Sequence, residues 1–208
     1  MAINKKTLTI NELLKLYQEK AYNNVIKESK KIIKNGNNNW KLFNILGSAL
    51  LSNGDNEEAM KIFIETVKKY PEVPEIHNNL GICYKVNNLY NQAVLEFTEA
   101  LKYKKDYVDA KINLADTYFL LKKFKKSIEI YNQLLKTEKN NLPIYFNLSK
   151  CYEEIGEINQ AINTLKLSLK IKNTSEAFYN MGVLLENSNT EEAISCYNNA
   201  IKINKNFF

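Results

Sequence analysis

The chain has 208 residues, 45% hydrophobic and 25% charged, with a formal net charge of +6. That length allows a sizeable core, but no apolar run reaches the about 20 residues needed to span a bilayer, and Met1–Asn11 lacks the apolar centre of a secretion signal. All 29 basic residues are lysine; without arginine's planar fork, which pairs bidentately with phosphate and guanine, the basic excess is not read as nucleic-acid binding.

In chain order, the first predicted elements are helices over 9–19 and 22–34. Leu13, Leu14, Leu16 and Tyr17 precede Ala21, Val25, Ile26, Ile32 and Ile33, and Asn35-Gly36 reads as a stop. From Trp40 onward the sequence repeats itself, which settles the organisation before any local reading. Phe43-x2-Leu46-Gly47-x2-Leu50 leads to Ala59, Phe63, Thr66 and Pro71; His77-x2-Leu80-Gly81-x2-Tyr84 leads to Ala93, Phe97 and Ala100. Lys111-x2-Leu114-Ala115-x2-Tyr118 leads to Ser127, Tyr131 and Leu134; Tyr145-x2-Leu148-Ser149-x2-Tyr152 leads to Ala161, Leu165 and Ser168. Phe178-x2-Met181-Gly182-x2-Leu185 leads to Ala193, Tyr197 and Ala200.

If the small residue of each first helix is numbered position 8, the rows begin near Trp40, Pro74, Val108, Leu142 and Ser175. Positions 4, 7, 8 and 11 share one packing stripe at 3.6 residues per turn, so each row reads as a helical hairpin. The small residues Gly47, Gly81, Ala115, Ser149 and Gly182 let the helices approach closely, with Ala59, Ala93, Ser127, Ala161 and Ala193 as their partners. Gly54, Gly156 and Asn88 suit the left-handed residue that ends a helix, and Pro71, Pro74 and Pro143 mark row junctions. One residue is missing near Asn173 and another between Gly182 and Ala193, which predicts an altered loop or twist in the last row.

This pattern resembles the tetratricopeptide repeat (TPR) over residues 40–208, with Phe, His, Lys, Tyr and Phe at the family's tryptophan-like position and Pro71 as the surviving second-helix proline. The resemblance implies an all-α fold, a right-handed α-solenoid of stacked antiparallel helical hairpins. The expected organisation is a degenerate N-terminal hairpin or cap over 1–39, then five repeats at about 40–73, 74–107, 108–141, 142–174 and 175–208. It also implies a non-enzymatic scaffold for protein–protein interaction.

Asn79, Asn113, Asn147 and Asn180 recur at intervals of 34, 34 and 33 residues, always at position 6; Ile45 breaks the series in the first row. Position 6 falls about 200° from position 4, sharing an exposed face with positions 2, 9 and 13. By the resemblance, that face lines the concave groove, and the series is similar to the asparagine ladder of the O-linked N-acetylglucosamine transferase superhelix, which implies a grip on a peptide backbone. An Asn amide offers both a donor and an acceptor to such a backbone. Rows stacked about 10 Å apart would meet an extended chain about every third residue. The alternative is that these amides cap helices or bond between adjacent rows.

At positions 2, 9 and 13 the face carries Glu75, Asp109, Asp116, Glu154 and Glu176 against Lys41 and Lys150. The groove is therefore expected to lean acidic and to take a neutral or basic extended peptide, with neither nucleic acid nor membrane as partner. The acidic lean departs from TPR domains that grip a terminal carboxylate. Lys122, Lys123, Lys125 and Lys126 form a separate basic cluster, read as solvated surface or as a contact for an anionic partner.

No catalytic or metal-binding constellation and no cofactor motif is recognised, and the single histidine, His77 at position 4, is expected to pack at a row junction. Cys83, Cys151 and Cys196 are odd in number and lack metal or disulfide spacing, so they read as small fillers in a reducing, cytoplasmic setting. The sequence ends on Phe207 and Phe208 without a polar capping helix, so the expectation is either a longer polypeptide or an end that meets a partner, with self-association through this end as one form of that contact. Leu13-Leu14-x2-Tyr17 followed by Trp40 and Leu46-Gly47 also resembles the N-terminal TPR region of bacterial glycosyl- and sulfo-transferases, which implies an alternative role as a substrate-recruiting arm.

Overall fold

A computed structural model describes residues 7–205; Phe207 and Phe208, expected to take part in self-association, lie outside the described residues. Within them the fold is an all-α solenoid of helical hairpins. The helices are α1 (Ile10–Gln18), α2 (Tyr22–Lys34), α3 (Trp40–Asn53), α4 (Asn56–Lys69), α5 (Pro74–Val86), α6 (Tyr90–Tyr103), α7 (Val108–Leu120), α8 (Phe124–Leu134), α9 (Leu142–Glu154), α10 (Ile158–Ile171), α11 (Ser175–Leu185) and α12 (Thr190–Ile203). The chain divides into two compact units between Ala110 and Lys111, inside α7.

In the first unit α1 pairs with α2, α3 with α4 and α5 with α6, and α3 also packs on α2 and α5. The chain enters α1 through a capping box. Thr9 Oγ1 accepts from Glu12 N–H at 3.3 Å, while Glu12 Oε2 accepts from Thr9 N–H at 2.7 Å, which satisfies two N–H groups that a helix start leaves open. In the second unit α9 pairs with α10 and α11 with α12, with α8 on α9 and α10 on α11.

Close approach within a hairpin is set by a ring lying across a glycine. A Cβ at Gly47, Gly81 or Gly182 would stand 2.5, 2.6 or 2.5 Å from a ring carbon of Phe63, Phe97 or Tyr197, respectively. The other two rows replace glycine at position 8 by Ala115 and Ser149 and bridge their helices with hydroxyls. Ser127 Oγ donates to Ala115 O at 2.8 Å, and Ser149 Oγ donates to Ala161 O at 3.2 Å. Positions 8 and 20 therefore face each other, as their shared small size suggests.

The buried surface of the first helices is wider than the stripe of positions 4, 7, 8 and 11. Position 3 is buried as Leu42, Ile76 and Ile144, and position 10 as Ala49, Cys83 and Cys151. These positions lie at about 260° and 240° from position 4, so the packed arc extends to within about 40° of position 6. Tyr84 and Tyr152 at position 11 are only half-buried.

Four of the five row turns share one geometry, which the α1–α2 turn also has at Lys20 (φ 59°), with Ala21 N–H on Leu16 O at 2.9 Å. Residue 15 of the row is left-handed: Gly54 (φ 89°), Asn88 (φ 60°), Lys122 (φ 57°) and Gly156 (φ 77°). The next residue's N–H bonds the carbonyl five residues back, as in Asp55 to Leu50 (2.9 Å), Leu89 to Tyr84 (2.8 Å), Lys123 to Tyr118 (2.8 Å) and Glu157 to Tyr152 (2.9 Å), which is the Schellman closure. The last row, one residue short, has no left-handed turn. Glu186 remains right-handed, and the N–H groups of Ser188 and Asn189 both bond Leu185 O.

Candidate functional site

The four ladder asparagines sit on the first helices of their rows and are all half-buried. Sequence reasoning places position 6 on an exposed face opposite the packing stripe; the structure instead puts it beside the buried edge formed by positions 3 and 10. The amides of Asn79 and Asn147 are thereby brought within reach of the preceding row.

In the first unit Asn79 Nδ2 donates to Asn44 Oδ1 at 2.7 Å, and Asn79 Oδ1 accepts from Asn78 Nδ2 at 3.3 Å. Asn44 is at position 5 of the row whose position 6 is Ile45, so an amide is present there after all, shifted by one residue. Glu75 is half-buried and pairs with Lys104 at 3.7 Å. Asp109 is exposed. Burial, reinforced by the charges of Glu75 and Asp109, pushes the Tyr107 hydroxyl up to about 12.

In the second unit Asn147 meets a carboxylate and a buried phenol. Its Nδ2 donates to Asp116 Oδ1 at 3.1 Å and lies 3.3 Å from the Tyr131 hydroxyl oxygen, while the Tyr131 hydroxyl donates to the same Asp116 oxygen. Burial, then the Asp116 charge and hydrogen bond, hold the Tyr131 hydroxyl protonated far above its ordinary range. Asn113, on α7, has its carbonyl bonded by the Thr117 hydroxyl at 2.6 Å. Asn180 lines a shallow cleft between α9 and α11 with Phe146, Ser149, Lys150, Glu153, Val183 and Leu184. Lys150, Glu154 and Glu176 are exposed; the carboxylate beside Asn180 in the cleft is Glu153, not Glu154.

Asn44, Tyr131 and Glu153 are additions to the residues chosen from sequence. Only Tyr131 carries a usable signal: a tyrosine at position 24, where the first, second and fourth rows have Phe63, Phe97 and Leu165, brings a buried hydroxyl that needs a partner.

His77 sits at the junction of two rows, with Nδ1 2.7 Å from Glu96 Oε2 and Nε2 2.7 Å from Pro71 O. Two acceptors on the two ring nitrogens favour the doubly protonated ring. Burial opposes that charge, but the Glu96 hydrogen bond, the Pro71 carbonyl and the charges of Glu96 and Glu99 outweigh it and raise the pKa above 6.5. Tyr145, also at position 4, makes the matching contact, donating to Lys139 O at 2.9 Å. Both side chains fasten the row junction by a carbonyl six residues back.

Among the described residues no three His, Cys, Asp or Glu side chains converge as a metal site, and no helix is long and apolar enough to cross a membrane. Cys83, Cys151 and Cys196 are all unpaired and buried.

Stacked two-helix rows with small residues at positions 8 and 20 define a helical-repeat scaffold. Sequence profiles of the tetratricopeptide repeat match residues 46–88, 87–140, 122–181 and 175–207, and the chain belongs to that family. Its fold is similar to MamA from Desulfovibrio magneticus RS-1 (residues 41 to the end; TM-score 0.73, 16% identity, 80% of this chain and 95% of that one). It is also similar to a second MamA structure (0.71, 20%, 77% and 95%) and to YrrB, described as a TPR protein with an unusual peptide-binding site (0.69, 19%, 86% and 93%). At these identities the likeness is one of fold. No curated protein sequence matches the chain.

Proposed function

We propose that the protein is a scaffold that binds an extended, neutral or basic peptide or protein segment, with the position 6 asparagines as backbone contacts. The observation that carries this reading is the half-buried amide recurring at one place on α5, α7, α9 and α11. The bonds to the preceding row do not exhaust the Asn147 amide. Asn147 uses its Nδ2 group on Asp116 and Tyr131, which leaves its carbonyl oxygen as an acceptor for a peptide N–H. Those same bonds fix its rotamer before a ligand arrives, lowering the entropy lost on binding. Each backbone contact is worth about 1 kcal/mol net, so sequence-tolerant, moderate affinity is expected.

Glu75, Asp109, Asp116, Glu153, Glu154 and Glu176 set the charge preference, with Lys150 in partial opposition. The similarity of the ladder to that of the O-linked N-acetylglucosamine transferase superhelix, and the peptide-binding site named for YrrB, point the same way. The three buried, unpaired cysteines suit a reducing compartment such as the cytoplasm.

The test is a peptide library of graded charge, read by fluorescence polarisation against wild type and an Asn113→Ala, Asn147→Ala, Asn180→Ala variant of verified fold. Neutral and basic peptides should bind wild type and lose affinity at least about tenfold on the variant. Equal binding by both proteins, or a preference for acidic peptides, would overturn the reading.

A further inference from the structure

In two rows the turn from first helix to second forms a shallow depression, and its charge differs between them. In the first row the depression measures about 520 Å³ and is lined by Gly54, Asp55, Asn56, Glu57, Glu58 and Lys61. In the third row it measures about 450 Å³ and is lined by Lys122, Lys123, Phe124, Lys125, Lys126 and Ile155. The concavity is common to both turns; the lysines are not.

Those lysines work against their own helix. A helix start carries partial positive charge and favours carboxylates; α4 has Glu57 and Glu58 in its first turn, and α12 has Glu191 and Glu192. The first turn of α8 has no acid, and no side chain caps its start. Lys123 stands at the cap, with Lys125 and Lys126 just inside. Lys122 holds the left-handed backbone that glycine takes in the first and fourth rows. All four lysines are exposed, and Lys126 lies 5.3 Å from the centre of the Tyr118 ring. Among the described residues no carboxylate pairs with any of them. Four cations around an uncapped helix start repel one another and the helix dipole, and a bound anion relieves both. Between them the surface is apolar. Phe124 is half-buried, its ring edge-on to Phe119 at 5.3 Å between centres, and Ile155 at the end of α9 is 37% exposed.

We propose that the α7–α8 turn is a docking site for an acidic protein segment that carries an apolar side chain. Carboxylates of the segment meet the lysines, and its apolar side chain rests on Phe124 and Ile155. A narrow chain suits the place better than a sheet of anionic lipid. The surface is concave, and Glu153, Glu154 and Glu157, all exposed, stand within two residues of Ile155, where lipid phosphates would repel them. The lack of arginine disfavours nucleic acid.

The experiment uses the full chain and, as probe, a fluorescein-labelled peptide of alternating Glu and Asp with one central Phe, read by polarisation. Saturable binding is expected. Lys123→Gln with Lys125→Gln should weaken it about tenfold, and Ile155→Ser about threefold. Lys170→Gln with Lys172→Gln, which removes the same charge from exposed residues at the end of α10, should leave it unchanged. Lys122→Gly adds a readout that a structural role would not give: glycine suits this backbone, so affinity should fall while the urea midpoint rises. No saturable binding, or an equal loss on the α10 variant, would overturn the proposal. So would equal binding of a probe with Ser in place of Phe. Tighter binding to vesicles of phosphatidylglycerol and phosphatidylcholine, or to single-stranded DNA, lost with the same lysines, would overturn it and assign the turn to that ligand. The Asn113→Ala, Asn147→Ala, Asn180→Ala variant should keep the acidic probe; loss of the probe there would place it in the groove and overturn the proposal. An acidic preference therefore counts against the groove reading only where it survives removal of the lysines.

Discussion

Phe97 is fully buried and its ring covers the place where a side chain on Gly81 would begin. Gly81→Ala should therefore cost about 1–3 kcal/mol of stability, because the ring has no solvent to swing into. The fourth row pairs Ser149 with Leu165 at the same two positions, which indicates how the clash is relieved. Gly81→Ala combined with Phe97→Leu should be less destabilised than the two single changes summed, measured as a coupling energy by urea unfolding. Additivity would contradict the contact. His77 gives a second expectation at this scale. Its pKa is raised in the folded protein, so the folded state holds the proton more tightly than the unfolded chain. The resulting stabilisation is complete below pH 6.5 and is lost as pH rises through the folded pKa. Urea midpoints should fall over that window, and Glu96→Gln should flatten the fall. A pH-independent midpoint in wild type would refute the ion pair.

At the scale of the element, the turn between α7 and α8 stands out among those of the five rows. Lys122 adopts the left-handed conformation that Gly54 and Gly156 adopt without steric penalty. Lys122→Gly should therefore stabilise the protein by about 1 kcal/mol, offset in part by greater freedom of the unfolded chain. A lower urea midpoint would show that the lysine side chain contributes something the turn geometry does not require.

These turns also show where the sequence was readable. Gly54, Gly156 and Asn88 are residue types that the left-handed region selects, so the helix ends were visible in them. A lysine is no such signal, and only its alignment with the other rows at residue 15 identifies Lys122. The packing of positions 8 and 20 was legible for a similar reason, since small side chains recur there against a background of large ones. The setting of the asparagines was legible only in part. A helical wheel gives direction but not the width of the buried arc, and burial of positions 3 and 10 moved position 6 from an open face to an edge. Hydrogen bonds such as Asn79 to Asn44 join different rows, and no periodicity within one helix encodes them.

Taken whole, the molecule carries a reporter in each compact unit. Cys83 belongs to the first and Cys151 to the second, and both are fully buried. Burial pushes the Cys83 thiol up to about 12 and raises that of Cys151 as well, so neither is a reactive thiolate in the folded state. In variants keeping one cysteine each, labelling by an aromatic disulfide should be strongly suppressed without denaturant. As urea is raised, each thiol should become reactive when its own unit opens, in two separate steps. Simultaneous loss of protection would mean that the two units unfold as one cooperative body.

The glycine–ring pairs have a further consequence, for folding fidelity. A chain of near-identical hairpins is exposed to a particular error, in which the first helix of one row closes on the second helix of another. Here the fourth row is not interchangeable with the three that pair a glycine with a ring. Ser149 brought against Phe97 would drive a side chain into a ring, whereas Gly81 brought against Leu165 would leave a void where a ring belongs. Each mismatch penalises a hairpin exchanged with the fourth row, so the variation in one small residue and its large partner sets that row apart from its look-alike neighbours. The irregularities of the repeat thereby serve as addresses.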